Sequence, residues 1–100
     1  MKRSLDEVLR VLRTHESELR HLGVCHAAVF GSVSRGEATS GSDIDVLVDL
    51  NQDRPMGIFA YARLKLYVNE LLDGAGDVVN RRTLKPMLRD NILRDAVDVF

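Results

Sequence analysis

The chain has 100 residues, 45% of them apolar, with 14 Lys and Arg against 15 Asp and Glu. That length suits one compact core and hence a single domain over 1–100, and the balanced, scattered charge lacks the basic footprint of a general nucleic-acid binder. The lone cysteine, Cys25, excludes an internal disulfide, and no apolar run approaches the roughly 20 residues needed to span a bilayer. The charged start MKRSLDEVLRVLR lacks the apolar centre of a secretory leader, so the expected location is the cytoplasm.

Ser4 followed by Glu7 forms a capping-box pattern, and Leu5, Val8, Leu12, Leu19 and Leu22 continue at helical spacing, which predicts one amphipathic helix up to Gly23. VCHAAVF (24–30) is short, apolar and closed by Gly31, as a buried strand would be. In DIDVLVDL (43–50), Ile44, Val46, Val48 and Leu50 alternate with Asp43, Asp45, Leu47 and Asp49, so one face of a strand packs and the other works. Tyr61, Leu64, Val68 and Leu71 predict a second helix ending in DGAG, and GDVVN (76–80) a third strand. Thr83 is placed to cap a last helix with Pro86 in its first turn and Leu84, Leu88, Ile92 and Ala96 on its apolar face; VDVF then reads as an edge strand. The alternation predicts an α/β (α+β) fold, a small mixed sheet flanked by helices.

The chemistry concentrates between Phe30 and Leu50. Side chains two apart on a strand point the same way, roughly 6.5 to 7 Å apart, which sets Asp43 and Asp45 side by side. Like charges so close are relieved by a divalent cation, and hard carboxylate oxygens suit Mg²⁺. Phosphoryl and nucleotidyl transfer use such a clamp on attacking and leaving oxygens. Gly31 and Ser32 form a turn that lets backbone N–H groups approach a phosphate, and Arg35 adds positive charge nearby.

A Gly31-Ser32 pair, ten intervening residues (VSRGEATSGS) and then DID resemble the signature of the DNA polymerase β-like nucleotidyltransferase superfamily. Within that superfamily the chain is most similar to the minimal nucleotidyltransferases, through Arg35-Gly36, Ser42 before Asp43 and VLVDL after Asp45, a likeness covering nearly the whole chain. The resemblance implies a third metal-site aspartate on a later strand, here Asp77, although Gly76 stands where the family more often has an apolar residue. It further implies that Asp43, Asp45 and Asp77 hold Mg²⁺, that Gly31, Ser32, Arg35 and Ser42 attend ATP, and that the partner is a HEPN-domain ribonuclease toxin. In that scheme the chain is an antitoxin: it forms a hetero-oligomer with the toxin and silences it by transferring AMP to a tyrosine. The alternative is a non-catalytic antitoxin that neutralises the toxin by direct binding.

Other polar residues are expected to be structural. Asp49, at the far end of its strand, reads as a solvated residue, and Ser34 and Ser40 as turn residues. His15, His21 and His26 lack ligand spacing for zinc. Cys25 reads as a small buried hydrophobe. Tyr61 belongs to the apolar stripe of the second helix and Tyr67 is open to exposure; either could touch a partner, and packing is the default reading. Arg81, Arg82 and Lys85 read equally well as a solvated helix start or as a contact for phosphate or an acidic surface.

Overall fold

The computed structural model describes residues 4–31, 44–53 and 56–100. Their elements are α1 (Leu5–Thr14), α2 (Glu16–His21), β1 (Val24–Phe30), β2 (Ile44–Leu50), α3 (Ile58–Leu71), β3 (Gly76–Asn80), a 3₁₀ turn at Arg81–Thr83, α4 (Pro86–Asp95) and β4 (Val97–Asp98). Four strands form one sheet in the order β3-β2-β1-β4; β1 is antiparallel to β2 and to β4, and β2 is parallel to β3. The expected small mixed sheet with helices is therefore observed, with VDVF supplying the edge strand β4.

Ser4 caps α1 by accepting from the Glu7 N–H at 3.2 Å. The single long helix expected here is instead divided at His15. Thr14 Oγ1 donates to the Arg10 carbonyl at 2.7 Å, a back-bond that bends helices, and the His15 N–H closes the turn on Leu12. Val8, Leu12 and Leu19 remain buried across the break and pack with Leu64, Val68 and Leu72 against Val29, Ile44, Val46, Val48 and Val78. Burial of these aliphatic groups supplies the main drive for folding.

β2 alternates as its sequence pattern requires, but its second face is not open throughout. Leu47 and its register partner Ala28 are both fully buried on that side. The parallel neighbours β2 and β3 need a long crossover, and α3 provides it. Gly76 is required where the crossover returns: a Cβ there would lie 2.9 Å from the Val68 carbonyl oxygen and 3.1 Å from Leu72 Cδ1. The missing side chain lets α3 rest directly on the start of β3.

Several local expectations are corrected. Cys25 is exposed, because the β1 register shifts between Val24 and His26. Tyr67 keeps its default reading and packs: it is half-buried, with its hydroxyl 3.3 Å from His15 Nδ1 and the two rings edge to face. Burial first, and the charge of Glu18 second, raise the Tyr67 pKa above its ordinary value. Thr83 does not cap α4; its hydroxyl donates to the Asn80 carbonyl and closes the 3₁₀ turn, while α4 begins at Pro86 with Lys85 in the cap position. No α4 residue is buried, so the apolar face expected for that helix is not packed away. The last residues are fastened instead by Arg13, which donates to the Val99 and Asp98 carbonyls at 2.8 and 3.0 Å, and by Arg20 over the Phe100 ring at 4.6 Å.

Gly76→Ala should destabilise the fold by about 1 to 3 kcal/mol through overpacking against α3, whereas Gly57→Ala, with no atom within 4 Å of the added carbon, should be near neutral. Urea unfolding of both variants checks this.

Candidate active site

In the parallel pairing of β2 and β3, Asp45 stands directly beside Asp77, with Ile44 beside Gly76 and Val46 beside Val78. Partners in a parallel ladder share a face, so both carboxylates project from the same side of the sheet, their Cα atoms about 4.8 Å apart. Gly76 has thus not displaced the strand. On the other side of β2, Asp45 pairs with Phe30, the last residue of β1. Phe30, Asp45 and Asp77 form one row across three strands.

Gly31 follows that row with φ +84°, a backbone conformation that L side chains rarely adopt. A Cβ at this position would fall on Asp45 Oδ2. Gly31 is therefore needed twice, for the direction of the chain leaving β1 and for the space occupied by the Asp45 carboxylate. Of the expected site residues, the structure brings Gly31, Asp45 and Asp77 together. Asp43, Ser32, Arg35 and Ser42 lie outside the described residues, as do Ser34 and Ser40. Among the described residues no cluster of three metal-ligating side chains forms.

Packing was the default expectation for Tyr61. It does touch the core from α3, half-buried, with Lys65 Nζ 5.4 Å from its ring centre. Its pKa is also raised, by burial first and by the charge of Asp77 second. The hydroxyl thus lies within the field of the third carboxylate. Nothing in the sequence signals this, because it depends on how α3 returns alongside the edge strand β3.

Asp49 is not the solvated residue expected from its position. Its Oδ1 lies 2.9 Å from Arg81 Nε and its Oδ2 3.2 Å from His26 Nδ1, while His26 Nε2 is 3.2 Å from Asp98. The Arg81 contact is close but poorly aligned as a hydrogen bond. The four side chains cross the sheet from the end of β3 to β4, which gives Arg81 a structural partner. Asp49 also borders a cavity of about 280 Å³ lined by Asn51, Gln52, Met56, Asn80 and Arg82, and neither Asp45 nor Asp77 lines it. Asp49 is four residues along the strand from Asp45, roughly 13 Å. The cavity and the carboxylate pair are separate places.

Comparison with known proteins gives the family. The profile of the nucleotidyltransferase domain family matches residues 12–99. The protein adenylyltransferase MntA of Thermococcus cleftensis is 37% identical over 97 residues, covering 96% of each chain. A solved minimal nucleotidyltransferase superposes with a TM-score of 0.70 at 39% identity, covering 89% of this chain and 93% of the other. An MNT antitoxin in complex with the tri-AMPylated HEPN toxin of Shewanella oneidensis shares the fold, with a TM-score of 0.64 at 19% identity over 92% of this chain and 71% of that one. The chain belongs to the nucleotidyltransferase domain family, and its fold is that of the minimal nucleotidyltransferases.

Because the contacts of Asp49 are partly exposed, Asp49→Asn should lower stability by only about 1 kcal/mol, and by less at 1 M salt. Chemical denaturation at two ionic strengths measures this.

Proposed function

We propose that the chain is a Mg²⁺-dependent adenylyltransferase that moves AMP from ATP to a tyrosine of a HEPN ribonuclease toxin, and acts as that toxin's antitoxin. The observation that carries the reading is the register that sets Asp45 beside Asp77, next to the end of β1 where Gly31 takes a positive φ. The adenylyltransferase name of the Thermococcus relative supports the reaction, and the AMPylated toxin bound to an MNT antitoxin supports the class of acceptor.

The residues fit a divalent ion. Two carboxylates share a face on adjacent strands, hard oxygen donors suit Mg²⁺, and the gap at Gly31 leaves room for an Asp45 oxygen that a side chain would displace. Asp45 and Asp77, with Asp43 from the sequence motif, would hold the metal. When bound, the ions would balance charge on the phosphates and favour loss of the acceptor's proton. The Gly31-Ser32 turn, Arg35 and Ser42 would hold the triphosphate in line with the incoming hydroxyl. The tyrosine oxygen then forms a bond to the α-phosphorus, the bond from that phosphorus to the bridging oxygen breaks, pyrophosphate leaves and the phenolic proton passes to solvent.

Incubation of the HEPN protein with this chain, ATP and Mg²⁺, followed by intact-mass measurement, should show gains of whole adenylyl groups. Asp43→Asn and Asp45→Asn should retain the fold by circular dichroism and show no gain. Gly31→Ala should transfer about a hundredfold more slowly, the scale expected when a reacting group is displaced by about 1 Å. Transfer persisting in both aspartate variants would refute the assigned roles. An unmodified toxin that is still neutralised would establish the non-catalytic alternative.

A further inference from the structure

The cavity beside Asp49 has no part in the proposed transfer, and it opens where β2 and β3 end. These parallel neighbours run out together, with Val48 level with Asn80, and in open α/β sheets ligands bind in crevices outside the carboxyl ends of strands. Leu50 and Met56, which pack against the edge of the core, give the cavity of about 280 Å³ an apolar wall, while Asn51, Gln52, Asn80 and Arg82 supply polar groups.

Those polar groups are biased towards donors. Asn51 Oδ1 accepts from the Asp53 N–H at 2.9 Å, and Asn80 Oδ1 accepts from the Arg82 N–H at 3.0 Å. Each asparagine thus commits its acceptor to its own turn and keeps only its amide N–H groups for a ligand. The Arg82 guanidinium, with five donors and a permanent charge, makes no ion pair among the described residues. The carboxylate on the wall, Asp49, is faced on one oxygen by Arg81 and on the other by His26. Arg81 and Asp49 therefore cancel, and Arg82 leaves the wall with a surplus of positive charge. Asp53, the next acid along the loop, is exposed and does not line the cavity.

We infer that this cavity is a second ligand site, for a small organic oxyanion whose carboxylate or phosphate lies among Arg82, Asn51 and Asn80 and whose carbon skeleton rests on Leu50 and Met56. A cation would meet Arg82, and a neutral ligand would leave its charge unpaired. The inference is independent of the proposed transfer, and it assigns Arg82 the ligand-contacting one of the two roles its sequence allows.

The test is a titration of the full chain, free of divalent ions and at fixed pH and ionic strength, with ethyl phosphate, butyrate and inorganic phosphate, followed through the backbone amide signals. The signals of Asn51, Gln52, Asn80 and Arg82 should move saturably with ethyl phosphate or butyrate, and the probe that saturates at lower concentration identifies the head group. Those of Gly31, Asp45 and Asp77 should stay in place. Asn80→Asp keeps the oxygen that accepts from Arg82 but puts negative charge where a donor was, and Arg82→Gln removes only the charged end of an exposed side chain. Each should bind about tenfold more weakly or worse, the loss expected for a charge-assisted hydrogen bond, with circular dichroism unchanged. Shifts that never saturate, shifts centred on Gly31 and Asp77, or binding within twofold of wild type in both variants would overturn the site. Saturation by inorganic phosphate alone would overturn the organic ligand.

Discussion

The structure depends on holding Asp45 against Asp77. Two carboxylates set side by side on neighbouring strands do not attract each other, so their register has to be imposed by the rest of the fold. The apolar residues on either side impose it: Ile44, Val46 and Val48 on β2 and Val78 on β3 belong to one buried cluster. Slipping β3 by one residue would turn Val78 out of the core. The same core that favours folding therefore fixes the spacing of the acidic pair.

Two glycines make this arrangement sterically available, in different ways. Gly76 has no side chain because the returning helix α3 occupies that space, with the Val68 carbonyl and Leu72 against it. Gly31 has none because Asp45 does, and its positive φ also sends the chain out of β1 beside the carboxylates. Farther along the same face the electrostatics are settled within the protein. Asp49 is set against Arg81 and His26, and His26 in turn against Asp98, tying the short β4 to the sheet. Asp45 and Asp49 share a strand and a face, yet only the first stands in the row with Asp77.

Much of this was legible in the sequence because it depends on local periodicity. Strands at 24–30 and 76–80 follow from short apolar runs bounded by glycine, and the β2 alternation places Ile44, Val46 and Val48 in the core as its spacing requires. The family was expected from the resemblance carried by Gly31-Ser32, ten residues and DID, and the nucleotidyltransferase domain match over residues 12–99 bears it out. What could not be read depends on tertiary placement. The break at His15 comes from a threonine hydroxyl competing for a backbone carbonyl, and the outward turn of Cys25 from an irregular register with β2. The partners of Asp49 come from two other parts of the chain, and the field of Asp77 on Tyr61 from the path of the crossover helix.

The carboxylate row requires a rigid core and a fixed register, and the buried side of α3, through Leu64, Val68 and Leu72, supplies part of that core. The central claim is that the end of β1, β2 and β3 form a single metal and nucleotide site. Paramagnetic broadening of backbone amide signals during titration with Mn²⁺ and ATP tests it most directly. The account predicts that the signals of Gly31, Asp45 and Asp77 broaden first, and those of Asp49, Asn51 and Arg82 only later. Broadening centred on the cavity beside Asp49, Asn51, Asn80 and Arg82, with Asp45 and Asp77 spared, would contradict it.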